Sequence, residues 1–502
     1  MTSPDPAAFY SAYAARDPRF DGVFYIGVTS TRIYCRPVCT ARTPRAANCR
    51  FFDSAAAAEK AHFRPCLRCR PELAPGHAPV DDAGRIAALV ARRIDEGMLD
   101  DGAGVEEIAA QFGWSSRQIR RMMRRSLGVS PMELVMTRRL LLAKQLLTET
   151  TLPVTEVAFA SGFRSLRRFN DAFLSRYGMP PSRFRRAAES DDPAAATPRG
   201  SFTLLLSYRP PFDWEGLLAF LAGRAMAGVE AVQGGEYLRA VRLGAHEGWL
   251  RVRHLPAKRA LAVEVAHGLA PVLPALLGRL RHLFDLEARP DVIGAHLAAD
   301  AMMAPLVEAA PGLRVPGAFE PFELAARAVL GQQVSVRAAT TLAGRFAEAF
   351  GEPLVTPFAG ISRTSPAASR IAAVGVDAIA ALGIVRARAA TIVAIATEMA
   401  SGRLRLEPGD DPARVMAQLV ALPGIGPWTA HYIAMRALRW PDAFPREDLV
   451  LRKVLGGITP ARAATRAEGW APWRSYATLH LWRASSSSQG DARQSDPPPG
   501  ID

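Results

Sequence analysis

The spacing of apolar residues changes along the chain and predicts elements of different types. Between about residues 81 and 186, apolar residues recur with a helical period. Residues 201–295 contain strand-like runs such as FTLLLSY and ALAVEVA around one helix, which is an α+β pattern. Helical spacing returns from Pro321 to about Arg483, with Gly and Pro between the periodic stretches. The pattern predicts a multidomain, mainly α protein with an α+β subdomain in its centre.

Composition at the junctions predicts the domain boundaries. The segment ESDDPAAATPRG is polar and rich in Pro and Ala, which is typical of a linker. The tail from Ala484 is low in complexity and is predicted to be disordered. We therefore expect a small α+β cysteine-rich domain, an all-α domain, the linker, an α+β subdomain, an all-α domain and the tail, at residues 1–80, 81–188, 189–200, 201–300, 301–483 and 484–502.

The charge of the chain is strongly positive and unevenly placed. The 502 residues carry a net charge of +14 at pH 7, and residues 115–186 hold 15 Arg or Lys against 4 Asp or Glu. A protein this basic is expected to bind a polyanion, with nucleic acid ahead of an anionic membrane surface. No apolar run reaches the ~20 residues that span a bilayer, and the N-terminus lacks the features of a signal peptide. We expect a cytoplasmic protein whose thiols stay reduced.

The five cysteines all lie near the N-terminus. Cys35 and Cys39 form one close pair, and Cys66 and Cys69 form another, with 26 residues between the pairs. Two such pairs supply the four thiolates of a tetrahedral site, so one Zn²⁺ is expected. Spacing alone favours a purely structural zinc, and four unconnected buried cysteines are the alternative. Cys49, between the pairs, is interpreted as a free core cysteine.

Two helix-turn-helix patterns lie in the basic stretch. The first reads VEEIAAQFGWSSRQIRRMMRRSLGVSP, with Gly113 at the turn after a helix ending near Phe112 and with Ser115 or Ser116 capping the next helix. The second reads VTEVAFASGFRSLRRFNDAFLSRYGMPPSRF, with its turn at the glycine of ASGF and its cap at Ser165. Each pattern predicts two helices joined by a short turn.

Basic residues cluster on the second helix of each unit. The start of that helix is the part that a helix-turn-helix presents to the major groove. The alternative is two amphipathic hairpins with solvated arginine faces. The candidate DNA contacts are Arg117, Arg120, Arg121, Arg124, Arg164, Arg167 and Arg168.

A helix-hairpin-helix pattern lies near the C-terminus. LPGIG contains Gly424 and Gly426, which allow a tight turn that presents backbone N–H groups to a phosphate. Trp428 and Tyr432 follow on one helix face, and Asp448 comes later in FPREDLVLRK. Each feature alone has a structural explanation, since buried aromatic residues are usually core and an Asp before a helix is usually an N-cap. Their joint occurrence favours a DNA-processing site.

The cysteine region resembles the N-terminal domain of the Ada methylation-response proteins. The matching strings are GVTSTRIYCRPVCTAR, FFDSAAAAEKA and FRPCLRCRPEL. In that family the zinc-bound first cysteine takes a methyl group irreversibly from a DNA methylphosphotriester, which implies that Cys35 is the methyl acceptor here. Methylation would reduce the negative charge of the zinc–thiolate centre and raise its affinity for DNA phosphates. The family more often has a non-thiol residue at the position of Cys49.

The basic stretch resembles the AraC-type DNA-binding domain, which follows the zinc domain in Ada. Two helix-turn-helix units are joined by a longer helix from about Pro131 to Leu147. The resemblance implies a transcriptional activator that binds promoter sites and, on activation, RNA polymerase. The FxxAFxxxYGxxPxxFR pattern that carries it comprises Phe169, Ala172, Phe173, Tyr177, Gly178, Pro181, Phe184 and Arg185.

Residues 202–482 resemble AlkA, the 3-methyladenine DNA glycosylase II of the helix-hairpin-helix superfamily. The matching strings are PFDWEGLLAFLAGRA, GLRVPGAFEPFELAARAVLGQQVS, LPGIGPWTAHYIAMRAL and PWRSYATLHLW. The resemblance implies that Trp428, Tyr432 and Trp482 form the pocket for a flipped base. It also implies that Asp448 stabilises the sugar cation and assists the attack of water.

At several positions the sequence differs from the related families, and these differences limit the reactions that are expected of it. Trp428 stands where bifunctional relatives have a Schiff-base lysine, so a monofunctional enzyme is expected. Gln333 stands where AlkA inserts a leucine into the DNA. No cysteine follows Cys69, which excludes the four-cysteine iron–sulfur loop of some relatives. The PCHR motif of full Ada is absent, so direct repair of O6-methylguanine is not expected.

Together these features predict an alkylation sensor and activator fused to a glycosylase. The enzyme would release 3-methyladenine and 7-methylguanine by hydrolysing the N-glycosidic bond. The expected partner is double-stranded DNA, with a monomeric protein and no membrane. Two alternatives remain: a transcription regulator with an inactive glycosylase-like half that binds DNA, and a glycosylase whose zinc is only structural.

Overall fold

The computed structural model shows a mainly α protein, as the sequence predicts, with two separate sheets among the described residues. The chain divides into two compact units, 1–137 and 138–502. Within the described residues, no helix is both long and apolar enough to cross a membrane. The description covers residues 6–494 apart from 18–19, 22–23, 53–54, 70, 72–86, 88, 92, 95–103, 112–113 and 190–199.

The N-terminal sheet is small and has four short strands in the order β3-β1-β2-β4. β1 pairs antiparallel with β2 and β3, whereas β2 and β4 are parallel. Phe24 and Ile26 are fully buried beside the sheet. The elements are α1 (Pro6–Ala14), β1 (Tyr25–Val28), β2 (Ile33–Cys35), β3 (Cys49–Phe52), α2 (Ala55–Lys60) and β4 (Arg64–Pro65).

The first helix-turn-helix unit has the predicted second helix. α4 (Ser116–Leu127) begins after Ser115, whose side chain accepts from the Gln118 backbone N–H in a capping box, and it is followed by Gly128 with a φ of 75°. Its predicted turn at Phe112 and Gly113 lies outside the described residues. The helices are α3 (Val105–Gln111), α4 (Ser116–Leu127) and α5 (Pro131–Glu149), the last of which crosses the boundary between the two units.

The second helix-turn-helix unit is also formed as predicted. Gly162 takes a φ of 88° at the turn, where a glycine carries no Cβ penalty. Ser165 caps the following helix by accepting from the Arg168 N–H. Phe169 and Phe173 are fully buried in its aromatic core. The helices are α6 (Val154–Ala160), α7 (Leu166–Tyr177) and α8 (Pro181–Glu189). The predicted linker at 190–199 lies outside the described residues.

The α+β subdomain is built on a five-stranded antiparallel sheet in the order β5-β9-β8-β7-β6. Every residue of β9 is buried, which explains why its sequence ALAVEVA lacks a regular alternation of apolar and polar positions. The elements are β5 (Ser201–Ser207), α9 (Trp214–Ala222), β6 (Glu230–Gln233), β7 (Glu236–Leu243), β8 (His246–Leu255), β9 (Ala260–Ala266) and α10 (Leu273–Leu283).

The outer edge of β5 is covered by side chains of α5. Gln145 Nε2 donates to the Leu205 carbonyl oxygen at 2.8 Å, and the Leu205 N–H donates to Glu149 Oε2 at 2.9 Å. Gln145 Nε2 also donates to Glu149 Oε2 at 2.9 Å. The two side chains, one helical turn apart, thus satisfy the donor and the acceptor that an edge residue would otherwise leave open.

The remaining residues form a helical domain around one large apolar core. That core includes the fully buried Trp470 and Phe346. The helices are α11 (Pro290–Leu297), α12 (Ala304–Ala309), α13 (Pro321–Leu330), α14 (Val336–Phe350), α15 (Ala368–Val374), α16 (Val376–Ala380), α17 (Arg386–Ala400), α18 (Pro412–Val420), α19 (Pro427–Arg436), α20 (Leu449–Val454), α21 (Pro460–Arg466) and α22 (Arg474–Gln494).

The C-terminal tail begins later than its composition predicts. α22 continues to Gln494, so the prediction of disorder from Ala484 is wrong for the first part of that segment. The first half of α22 is anchored by buried residues such as Leu481. Because helix propagation costs little once a helix is nucleated, the polar residues that follow extend it. Residues 495–502 lie outside the described part.

Candidate functional site

The four predicted zinc ligands come together in the N-terminal unit. Cys35 ends β2, Cys39 follows in the next turn, and Cys66 and Cys69 flank the turn after β4. Their sulfur atoms all lie within 4.8 Å of one another. A tetrahedral zinc with Zn–S bonds of about 2.3 Å requires sulfur–sulfur distances of roughly 3.8 Å. The arrangement therefore fits one Zn²⁺, as the sequence predicts.

The chemistry of these thiols also fits a bound cation. Hydrogen bonds from Cys35 and then Cys69 lower the pKa of Cys39 to about 2. Hydrogen bonds with Cys39 and Cys69, together with burial, raise the pKa of Cys35 well above its ordinary value. Without a bound cation, Cys39 is therefore favoured as a thiolate, whereas ionisation of Cys35 is disfavoured. Four thiolates can coexist there only when a positive ion compensates their charge.

The zinc site is buried, and its surroundings do not distinguish one of the four cysteines as the methyl acceptor. Cys35 is 4% exposed and Cys66 is 7% exposed. Arg36, which follows Cys35, is buried and forms an ion pair with Asp21. Cys49 lies outside the group of four, and its thiol contacts the Arg45 carbonyl oxygen at 3.6 Å. The assignment of Cys35 as methyl acceptor therefore depends on the family resemblance.

The candidate DNA-contacting arginines lie on exposed helix faces. On α4 they lie opposite Ile119, Met122 and Met123, which are buried. Arg120 also forms an ion pair at 3.3 Å with Glu106 of α3. Those on and just before α7 are likewise exposed. The full set is Arg117, Arg120, Arg121, Arg124, Arg164, Arg167 and Arg168.

The predicted hairpin joins α18 to α19. Gly424 takes a φ of 85°, and a Cβ there would lie 2.2 Å from Thr391 Oγ1. Thr391 Oγ1 donates to the Pro423 carbonyl oxygen at 2.8 Å and fixes the turn against α17. Gly426 has a φ of −91°, and a Cβ there would have no atom within 4 Å. Only the first of these two glycines is therefore required by the local geometry.

Asp448 is both an N-cap and the meeting point of two indoles. It precedes α20, and its Oδ1 accepts from the Leu451 N–H at 2.7 Å. Trp428 Nε1 donates to Oδ2 at 2.8 Å, and Trp482 Nε1 donates to Oδ1 at 3.1 Å. The carboxylate is 8% exposed. The structural role expected of an Asp before a helix is thus present together with contacts to two of the three predicted pocket residues.

The three pocket aromatics are neighbours. The rings of Trp428 and Tyr432 lie nearly parallel, at 9° and with centroids 5.4 Å apart. Trp482 approaches Tyr432 from the side, with centroids 6.3 Å apart. These rings offer π faces on which a planar base can stack.

Two further residues lie beside this pocket and were missed by sequence reasoning. Phe220 and Arg224, on and just after α9, line a cavity of about 490 Å³ that Trp482 also lines. The Arg224 guanidinium lies 3.8 Å from the centre of the Phe220 ring. The only sequence signal for them was the string PFDWEGLLAFLAGRA, which resembles AlkA but does not show which side chains face the pocket.

The turn between α13 and α14 carries two glutamines with different surroundings. Gln333 is exposed and has a φ of 54°, in the left-handed region. Its neighbour Gln332 donates through Nε2 to the Gly424 carbonyl oxygen at 2.9 Å and to Thr429 Oγ1 at 3.0 Å. Gln332 therefore ties this turn to the hairpin, a role that the sequence did not indicate.

Comparison with protein families accounts for most of the chain. Residues 8–72 match the metal binding domain of Ada, and residues 108–187 match a helix-turn-helix domain. Residues 203–320 match the AlkA N-terminal domain, and residues 326–473 match the HhH-GPD superfamily of base excision DNA repair proteins. The fold and sites thus define a DNA-binding zinc protein joined to a helix-hairpin-helix DNA glycosylase.

Individual relatives give the family of the whole chain. A probable bifunctional transcriptional activator/DNA repair enzyme AlkA of Mycobacterium tuberculosis is 40% identical over 94% of this chain and 95% of its own length. DNA-3-methyladenine glycosylase 2 of Escherichia coli is 37% identical over 55% of this chain and 95% of its own. A 3-methyladenine DNA glycosylase structure from Archaeoglobus fulgidus is 20% identical, covers 56% of this chain and 98% of its own, and has a TM-score of 0.49. The chain belongs to the family of bifunctional transcriptional activator/DNA repair enzymes of the AlkA type.

Proposed function

We propose that the C-terminal half is a monofunctional DNA glycosylase that releases alkylated purines, including 3-methyladenine and 7-methylguanine. The observation that carries this proposal is the Asp448 carboxylate held between the indole N–H groups of Trp428 and Trp482. The match to DNA-3-methyladenine glycosylase 2 supports the substrate class.

The pocket residues have different roles in the proposed reaction. The faces of Trp428, Tyr432 and Trp482 stack on a flipped base and attract its positive charge. A purine that is already cationic is a good leaving group, so it needs little proton donation. Asp448, with three N–H donors fixing its two oxygens, is an oriented negative charge for the sugar cation that develops as the N-glycosidic bond breaks. Water then adds to C1′.

The strand should remain uncut after base release. Trp428 occupies the place of a Schiff-base lysine at the start of α19, and Lys453 on α20 is exposed. The test is release of methylated purines from alkylated duplex DNA, with gel analysis of the strand and borohydride treatment. Base release with an alkali-sensitive but uncut strand supports the proposal. A borohydride-trapped protein–DNA adduct would contradict the monofunctional mechanism.

Gln333 is proposed to enter the space left by the flipped base. Its exposed position at the tip of the α13–α14 turn, next to Gln332 that anchors the turn to the hairpin, supports this role. A Gln333→Ala variant should bind DNA containing an abasic site more weakly, since the gap would stay unfilled. Equal affinity of the variant and the wild-type protein would remove this assignment.

We propose in addition that the zinc site is a methylphosphotriester sensor with Cys35 as its acceptor. Zinc would hold the sulfur in its thiolate form. The Cys35 thiolate attacks the methyl carbon, the methyl C–O bond breaks, and the phosphodiester leaves with the electron pair. The product is S-methylcysteine and repaired DNA. The close approach of four sulfurs and the match to the Ada metal binding domain support this step.

The sensor has a direct chemical test. Full-length protein incubated with DNA carrying methylphosphotriesters should gain one methyl group on Cys35, located by peptide mass spectrometry. DNA affinity should rise after methylation because the centre loses one negative charge. A Cys49→Ser variant is the control and should be methylated normally. A methyl group on Cys66, or none on any ligand, would contradict the assignment.

The regulatory role follows from the same region. We propose that methylated protein activates transcription at its promoter sites through contact with RNA polymerase, and that it acts as a monomer in the bacterial cytoplasm near the nucleoid. Reporter assays with and without methylating agent test activation, and light scattering tests the monomer. Activation that persists in a Cys35→Ala variant would show that the sensor does not control it.

A further inference from the structure

The hydroxyl of Tyr432 is buried among hydrogen-bond donors. Tyr432 is 8% exposed, and Arg436 Nη1 donates to its hydroxyl oxygen at 2.7 Å. Within the described part of the chain, the hydroxyl of Tyr432 has no acceptor for a proton of its own. A neutral buried phenol would leave its O–H unsatisfied there, which is costly, whereas an ionised phenol would accept from every neighbour.

Two other buried tyrosines have the opposite arrangement. The Tyr237 hydroxyl contacts the Glu230 carboxylate, and the Tyr476 hydroxyl donates to Asp285 Oδ2 at 2.6 Å. In both cases a carboxylate accepts the phenolic proton. Burial, and then the negative charge of Glu230 or Asp285, raises the pKa of each of these tyrosines well above its ordinary value. The donor-only surroundings therefore distinguish Tyr432 from these two tyrosines.

Three guanidinium groups from different parts of the chain lie close enough to Tyr432 to interact with it electrostatically. Arg224 follows α9, Arg327 belongs to α13 and Arg436 ends α19. Within the described residues none of the three forms an ion pair with a carboxylate, although Arg436 donates to the Pro316 and Gly317 carbonyl oxygens. Arg327 Nη1 is buried without a hydrogen-bond partner in the described structure.

The other charged groups on this side neutralise one another only in part. The three arginines line a cavity of about 30 Å³ together with Arg239, Glu230 and Glu323. Arg239 forms ion pairs with both glutamates. On the far side of the aromatic stack, Asp448 contacts Trp428 and Trp482. Four arginines thus face Glu230 and Glu323, which also act on Arg327, so an excess of positive charge remains around Tyr432.

We infer that Tyr432 is a phenolate in the folded protein, held by Arg436, Arg224 and Arg327, and that its negative charge makes the pocket selective for cationic bases. The inference rests on the proposed glycosylase function and extends it to the basis of substrate choice. The excess positive charge of these guanidinium groups would repel a positively charged alkylpurine. A phenolate offsets one of these charges and enriches the ring against which the base stacks. Ionisation releases a proton to solvent and needs no other reactant.

The electrostatics agree with the geometry. Burial acts to raise the pKa of Tyr432, but the charges of Arg436 and Arg224 and the Arg436 hydrogen bond outweigh it, so that its pKa is lowered. An acid whose pKa is lower in the folded state is stabilising at high pH, and that stabilisation is lost as the pH falls through the folded-state value. The selectivity for cationic bases should be lost over the same range.

The first test detects the phenolate directly. Near-ultraviolet absorbance of full-length protein and of a Tyr432→Phe variant is recorded during a pH titration. The difference should show one tyrosinate well below the usual tyrosine pKa of about 10, and it should vanish when both proteins are unfolded in denaturant. Tyr237→Phe is the matched control and should show no such difference. Absence of the tyrosinate signal from the wild-type protein overturns the inference.

A second variant gives a test that does not depend on whether Tyr432→Phe folds. Arg224→Gln keeps the tyrosine ring and removes one guanidinium, so the tyrosinate signal should move to higher pH. An unchanged titration in Arg224→Gln overturns the role of that arginine. This readout does not require base release, so it is independent of the glycosylase proposal.

The third test measures substrate choice. Tyr432→Phe keeps the aromatic ring but removes the negative charge, so kcat/KM for cationic 7-methylguanine should fall about tenfold more than for a neutral base such as hypoxanthine. Equal reductions for the two bases would show that Tyr432 contributes only stacking area and would overturn the inference. A wild-type protein that releases no base at all, with the tyrosinate present, would instead contradict the proposed function.

Discussion

The zinc centre and the base pocket are both buried sites of concentrated charge, but the chain assembles them over very different distances. The four sulfurs come from one small sheet and its turns, between Cys35 and Cys69. The pocket draws on α9, α19, the N-cap of α20 and α22, from Phe220 to Trp482. The first site can be recognised from the spacing of one residue type. The second depends on a tertiary fold that local spacing does not describe.

The zinc centre and the base pocket also differ in what stabilises their structure. The strands around the zinc centre have between two and four residues each. The pocket, in contrast, lies against a core of about fifty buried residues. Removing the metal should therefore disrupt the first site, and removing a pocket side chain should leave the second site folded. The following predictions test that contrast.

The largest effect is expected from a zinc ligand. Cys66→Ser should abolish stoichiometric zinc binding and unfold the four-stranded sheet, because structural zinc contributes about 10–16 kcal/mol in small metal-dependent domains. Metal analysis and circular dichroism provide the measurement. Cys49→Ser, outside the group of four, is the matched control and should keep one zinc per chain. Full zinc content in Cys66→Ser would show that the site does not need four sulfurs.

The next effect concerns the catalytic carboxylate. Asp448→Asn should lower the rate of base release by about 10²–10³ while leaving DNA binding intact, because one preorganised charge is lost. Single-turnover kinetics measure the rate. Asp411→Asn changes the N-cap of α18 in the same way and is the matched control, with activity expected to be unchanged. Activity near the wild-type level in Asp448→Asn would remove the catalytic assignment.

A smaller effect is expected from the exposed arginines of α4. Replacing Arg120, Arg121 and Arg124 together by Gln should reduce the salt dependence of DNA binding by up to about three units of slope, one for each phosphate contact. Fluorescence anisotropy over a range of salt concentrations gives the slope. A slope identical to that of the wild-type protein would mean that these arginines form a solvated face.

The smallest effect is a difference in stability between variants of the two hairpin glycines. Gly424→Ala should destabilise the protein by about 2 kcal/mol, because the left-handed φ costs 1–2 kcal/mol and the new methyl group meets Thr391. Gly426→Ala should change stability by less than about 0.5 kcal/mol. Urea unfolding of both variants measures the difference. Equal stability of the two variants would contradict the geometry of the turn.

Sequence reasoning identified the elements whose signals are local. Ser165 was identified as an N-cap from its position before a periodic stretch, and the zinc ligands were identified from their spacing. Asp448 was found because its distance from the hairpin resembled AlkA. Phe220 and Gln332 were missed because nothing near them in the sequence shows which distant element they contact. The tail was predicted to begin too early, at Ala484, because the composition shows that this segment is polar but does not show that α22 continues through it.

The cover that α5 provides over β5 has a consequence for how the protein can be divided. An exposed strand edge is a template for pairing with another chain, and here Gln145 and Glu149 occupy it at Leu205. Cutting the chain between residues 190 and 199 and discarding the N-terminal part would uncover that edge. The isolated glycosylase half should then self-associate through β5 or aggregate, so the helix that joins the two helix-turn-helix units also keeps the attached enzyme half soluble.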